Sequence, residues 1–137
     1  MAFFALKGDW EVKYLPTKAS TAYVIGDMIC NDGTDNTVAT TSSLRNIGIC
    51  LQAKAAGDTG VQKLPFHVPR SPFATMLGSV GSGTPAAANV GKTCDFATSS
   101  TVAWGTDTHH QLVIEGFISA TFGEFSINSS LSTLPGA

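Results

Sequence analysis

The sequence is poor in charge. Only 13% of its 137 residues are Asp, Glu, Lys or Arg, well below the usual quarter, so much of the surface must be Ser, Thr, Asn, Gly and Ala. Such a surface is easily desolvated against another protein. The formal net charge is -2 and the isoelectric point is near 5.8, with Lys and Arg scattered along the chain. There is no global attraction to a phosphate backbone or to anionic lipid, and neither nucleic acid nor membrane is expected as a partner. No run approaches the roughly 18 apolar residues that a membrane helix needs. The opening MAFFALKGDWEVKY lacks a basic region, an apolar stretch of adequate length and a small-residue cleavage site, so it does not read as a signal peptide. Synthesis in the cytoplasm is the simplest expectation.

Cysteine is scarce and its spacing excludes the usual structural zinc sites. Cys30, Cys50 and Cys94 form no CxxC or CxxH pair, cannot all pair within one chain, and two of them lie in apolar runs, which suits reduced, buried thiols. No serine stands in a G-x-S-x-G frame. Cys94, beside Asp95, could act as a nucleophile only with a histidine brought from afar, His67 or His109, and the region is poor in the cationic groups that lower a thiol's pKa. Glu11, Glu115 and Glu124 are the only glutamates, so paired acids for glycoside hydrolysis are scarce. No catalytic residue, cofactor or metal is therefore expected.

Four further features have a functional and a plain reading. Asp27, Asp32 and Asp35 invite a calcium loop, but the alternate oxygens and closing Glu of an EF-hand are missing, and Asp and Asn serve as turn formers. GSGTPAAANVG matches neither phosphate-loop spacing and reads as a mobile surface loop. His109 and His110 are adjacent, so in a strand they would point to opposite faces; an exposed turn explains them. Aromatic residues do not alternate with basic ones on any expected strand, which speaks against a single-strand nucleic-acid platform.

What the chain does contain is strand-and-turn punctuation. Tyr23–Cys30, Ile47–Ala53 and Val61–Val68 are β-branched, apolar runs separated by Gly, Asp, Asn, Thr and Ser. Gly26-Asp27 marks a corner or bulge in the first run, with the strand resuming at Met28. Ile47–Leu51 is apolar on both faces and is the expected central strand. AKAAGDTG is too short to nucleate a helix and leads into a turn at Gly57–Gly60. In the third run, Pro65 argues for a sheet edge. The 31–46 connection, with NDGTDN and a short strand candidate VATT, is expected to be an exposed flap. No element is assigned to the stretch with Phe73, Met76, Leu77 and Val80. Ala86–Ala88 form one helical turn or lie flat. KTCDFA, STVAW, QLVIEGFISA and FGEFSIN return to strand, with Leu112, Ile114 and Ile118 sharing a face and Phe125 and Ile127 pointing inward.

About nine or ten short strands without a long amphipathic helix predict an all-β fold, a single compact barrel or sandwich with long polar loops. Residues 1–20 form an N-terminal arm and first strand, 21–128 the β-domain, and 129–137 a flexible tail. The arm carries Phe3, Phe4, Leu6 and Trp10 and either packs on its own barrel or reaches a neighbouring subunit.

VIGDMIC followed by NIGICLQAKAAGDTGVQKL resembles the strand, loop and small-residue turn layout of small bacteriophage head decoration (capsid cement) proteins. NVGKTCDF, QLVIEGF and FGEFSIN are similar to the C-terminal part of such proteins. The resemblance implies a structural virion protein, not an enzyme, that coats the outer surface of an icosahedral capsid as a homotrimer and clamps neighbouring copies of the major capsid protein. On that reading Phe3, Phe4, Leu6 and Trp10 are the capsid or inter-subunit contacts. The competing readings are a carbohydrate-binding or tail-associated β-module and a small cysteine hydrolase using Cys94.

Overall fold

The structure is a computed structural model that describes residues 2–128. Among them are eleven strands: β1 (Phe4–Lys7), β2 (Trp10–Pro16), β3 (Met28–Asn31), β4 (Asn36–Val38), β5 (Asn46–Cys50), β6 (Lys63–Pro69), β7 (Thr75–Ser82), β8 (Thr93–Thr98), β9 (Thr101–Ala103), β10 (Leu112–Phe117) and β11 (Phe122–Ile127). The helical content is one 3-10 turn at Ala87–Asn89. The all-β expectation holds, and both sheets belong to one domain. The expected tail, 129–137, lies outside the described residues.

The first sheet runs β1-β7-β11-β10-β8-β9, and β9 returns to pair in parallel with β7, closing a barrel. The second is β2-β6-β5-β3-β4, antiparallel throughout, with β5 in the middle as its two apolar faces predict. Strand alternation divides its side chains between two cores. Met28, Cys30 and Ile49 join the barrel interior of Phe3, Met76, Phe96, Trp104, Leu112, Ile114 and Phe125. Ile29, Cys50, Leu64 and Phe66 face the other way and pack with Tyr23, Leu15 and Val38. The second sheet is curled enough that Asn36 Nδ2 donates to the Pro16 carbonyl at 3.0 Å, bringing β4 to the end of β2.

β7, the longest strand, stands where no element was assigned. Its Gly, Ser and Thr residues read as loop, yet their small size is what the site requires. A Cβ on Gly78 would lie 2.8 Å from the Phe3 ring and 3.0 Å from Phe125, and one on Gly81 would lie 2.7 Å from Thr101 Oγ1. Backbone thus approaches two aromatic rings and the neighbouring strand more closely than any side chain permits.

Two further expectations are corrected. β6 is an interior strand between β2 and β5, not an edge. Pro65 is tolerated there because its carbonyl, and so its missing N–H, faces β5 just where that strand ends: Leu51 N donates to Pro65 O, and no further rung follows. In β10 an irregularity between Ile114 and Gly116 resets the side-chain phase, so Ile118 lies beyond the strand and is exposed instead of sharing the inward face of Leu112 and Ile114.

The sheets are tied by buried polar groups. Ser99, in the turn between β8 and β9, accepts from Met28 N at 2.7 Å and donates from Oγ to Asp27 Oδ1 at 3.0 Å. Gln111, wholly buried, accepts from Phe96 N and donates to the carbonyls of Thr40 and Ser43. The 31–46 connection is therefore anchored to the barrel along its second half, not a free flap.

Candidate interaction surface

The N-terminal arm follows both sheets. β1 lies beside β7 at the edge of the first, β2 beside β6 at the edge of the second. Between them the chain turns at Gly8, whose φ of 87° and 2.7 Å approach of a would-be Cβ to Ala74 Cα leave room for glycine alone. At its start, Phe3 N donates to the Gly26 carbonyl at 3.0 Å, locking the arm to the corner expected there.

That bond sets which side chains point out. Phe3 is 0% exposed, its ring 5.8 Å from Phe96 in an edge-to-face pair and seated over Gly78. It belongs to this chain's own core and offers nothing to a partner. Phe4, one residue on, is 44% exposed, and Leu6, at the irregular point of the β1–β7 pairing, is 46% exposed. Trp10 is partly buried against the barrel core, donates from Nε1 to Lys7 O at 3.0 Å and lies 6.2 Å from the His67 ring. Of the four contact residues expected from the sequence, Phe4 and Leu6 are thus available and Phe3 and Trp10 are largely used internally.

Sequence reading missed the rest of this face. Val24 and Ile25 are exposed at the Gly26 corner, because the chain leaves strand geometry there; read as one strand, 23–30 gave no hint of it. A cavity of about 170 Å³ opens between Phe4, Ile25, Leu51 and His67, floored by Phe3 and Ile49. On β2, Val12 and Tyr14 are 51% and 67% exposed. Phe4 of the arm and Ile25 of the corner thus meet at one apolar hollow, and Leu6 and Val24 are exposed on the same two segments.

The groups that suggested chemistry are explained by structure. Cys94 is buried, and burial, with Asp95 adding to it, pushes its thiol up to about 12, so it holds almost no thiolate at neutral pH. Burial also raises Cys30 and Cys50, and all three cysteines are free. Asp95 is buried and accepts from the backbone N–H groups of Thr108 and His109. His110 Nδ1 lies 2.7 Å from Asp107 Oδ1, whose carboxylate also accepts from Thr93 Oγ1 at 2.8 Å, a polar clasp on the turn before β10. Asp32 accepts from Thr34 N and Asp35 N; the Asp35 N–H first, then that of Thr34, holds its carboxyl below the usual range. No group of three or more His, Cys, Asp or Glu side chains among the described residues could hold a metal ion. Trp104 is buried with its Nε1 donating to Asn89 Oδ1, so it offers no sugar-stacking platform. No helix among the described residues is long and apolar enough to cross a membrane.

Compared with protein-family models, curated proteins and solved structures, the chain matches none.

Proposed function

We propose that this protein is a structural component of a bacteriophage virion, which binds the outer surface of the icosahedral capsid and stabilises contacts between major capsid subunits. The observation that carries the reading is the exposure of Phe4, Leu6, Val24 and Ile25 on the arm and the corner, two segments that the Phe3–Gly26 bond joins and where Phe4 and Ile25 line one hollow. An exposed apolar patch on a folded surface is a common mark of a site that recognises another protein. Replicated over a shell, each such contact adds stability by mass action, with no covalent step. The resemblance of VIGDMIC and NVGKTCDF to decoration proteins supplies the class of partner, and with it the homotrimer, the virion location and the absence of enzymatic activity, all parts of the proposal.

The hydrolase alternative is disfavoured by the depth and high pKa of Cys94. The carbohydrate alternative cannot use Trp104, which is enclosed, and would have to rest on Phe73 or Tyr14, the most exposed aromatic rings among the described residues. The test is binding of purified protein to shells that lack it. Replacing Phe4, Leu6 and Ile25 together by Ala abolishes occupancy on this reading while leaving the fold intact; full occupancy by the triple variant overturns it.

A further inference from the structure

The outer edge of β2 carries a self-complementary sequence. We infer that β2 pairs with β2 of a second copy, antiparallel and about a twofold axis through Val12. This rests on the geometry of the edge and not on the capsid reading; being a twofold contact, it would join the homotrimers of that reading in pairs and would not build the trimer itself.

The ladder to β6 fixes which backbone groups are free. Thr17 N donates to Gln62 O and Arg70 N to Asp9 O, so odd-numbered residues direct their backbone groups at β6. In an antiparallel pair the alternate residues point away, which leaves the N–H and C=O groups of Trp10, Val12 and Tyr14 on the open side. β2 has no other neighbour in its sheet. The opening ends at Pro16, which has no N–H and whose carbonyl already accepts from Asn36 Nδ2.

A second β2 can dock on these groups only in registers that pair even-numbered residues with even. Centred on Val12, Val12 meets its own copy, Trp10 meets Tyr14, and all three outward residues exchange backbone hydrogen bonds. The intervening pairs place Glu11 opposite Lys13 and Lys13 opposite Glu11, on the side where cross-strand side chains are closest. Centred one residue earlier, Glu11 would face Glu11; one residue later, Lys13 would face Lys13. Both slips set like charges directly opposite. Lys is a common device for blocking an open edge, but here Glu11, 3.9 Å from Lys13 within the chain, turns the block into a choice of register.

The side chains agree. Val12 and Tyr14 are the most exposed residues of the strand's apolar face, and the pairing sets them in one stripe: Tyr14 with Trp10, Val12 with Val12, Trp10 with Tyr14. Where the incoming strand would run past Tyr14 toward the Asn36–Pro16 contact, its own Gly8 turn carries it out of the sheet.

The experiment uses Val12→Cys, exposed where the three native thiols are buried. The twofold places the two Cα atoms about 5.5 Å apart, within disulfide reach. Mild oxidation of the full chain is expected to give a covalent pair on a denaturing gel, while Lys13→Cys gives little. Adding Glu11→Lys or Lys13→Glu to Val12→Cys is expected to lower the linked fraction about tenfold through two reversed cross-strand pairs, and mixing the two charge-reversed proteins restores it. Failure of Val12→Cys to link at high protein concentration overturns the inference, as does linking that ignores the charge reversals. An edge that stays single in solution and is filled only by a foreign strand also counts against it.

Discussion

Gln111 Nε2 reaches the Ser43 carbonyl at 2.6 Å, so a side chain at the mouth of β10 holds the connection between β4 and β5 of the other sheet. The same amide donates to Thr40 O, and its oxygen accepts from Phe96 N. One buried residue therefore satisfies three backbone groups on two sheets.

Gln111→Ala would leave the buried Phe96 N–H without its acceptor, while the Thr40 and Ser43 carbonyls keep donors in Ser43 and Asn46. The expected loss is about 1–3 kcal/mol, the cost of one unsatisfied buried group. Chemical unfolding measures it. A loss below about 0.5 kcal/mol, the size of an ordinary surface substitution, would mean that the tie is not made.

Gly78 and Phe3 form a close joint of the barrel. Gly78→Ala places a methyl group against two rings and is expected to cost about 1–3 kcal/mol by overpacking. Combined with Phe3→Leu, which vacates ring volume, the two losses should sum to less than their separate values by at least about 0.5 kcal/mol. Strict additivity would show that the rings are not in contact with this strand.

Phe3 and Phe4 are adjacent and chemically identical, yet they should behave oppositely. Phe3→Ala is expected to cost about 3–5 kcal/mol as a core deletion. Phe4→Ala is expected to change stability by no more than about 1 kcal/mol and to weaken shell binding instead. Equal thermal shifts for the two would contradict the buried and exposed placement.

The thiols predict the alkaline limb of stability. The Cys94 pKa is raised from the ordinary 9.0 to about 12 in the folded chain, so the native state keeps a proton that the unfolded state gives up. Stability from this group is fully present below pH 9 and falls as pH rises from there toward 12, by up to about 1.4 kcal/mol per pH unit. Cys30 and Cys50 act in the same direction. Cys94→Ala should flatten the slope, whatever it does to absolute stability. Consistently, a thiol reagent at pH 8 should label none of the three cysteines until denaturant is added; rapid labelling of Cys94 in the native state would contradict its burial.

Much of the frame was legible because local chemistry and tertiary role agree. Gly26 does form the corner before Met28, with φ of 90°, and Phe125 and Ile127 do point inward. β7 was illegible because its defining property, having almost no side chain at Gly78, has meaning only beside Phe3 and Phe125, distant in sequence. Pro65 misled for a similar reason: its missing donor matters only in relation to where β5 stops. The arm was legible as apolar but not as sided. Nothing local distinguishes Phe3 from Phe4 until the Phe3–Gly26 bond sets the phase, and Val24 and Ile25 looked like strand core until the corner exposed them.

The most direct test of the functional proposal is quantitative mass spectrometry of purified virions. A capsid-coating protein should be present in numbers comparable to the major capsid protein, and should be released when the shell surface is stripped under conditions that leave the shell closed. Its absence from virions, or a trace amount confined to the tail fraction, would contradict the proposal.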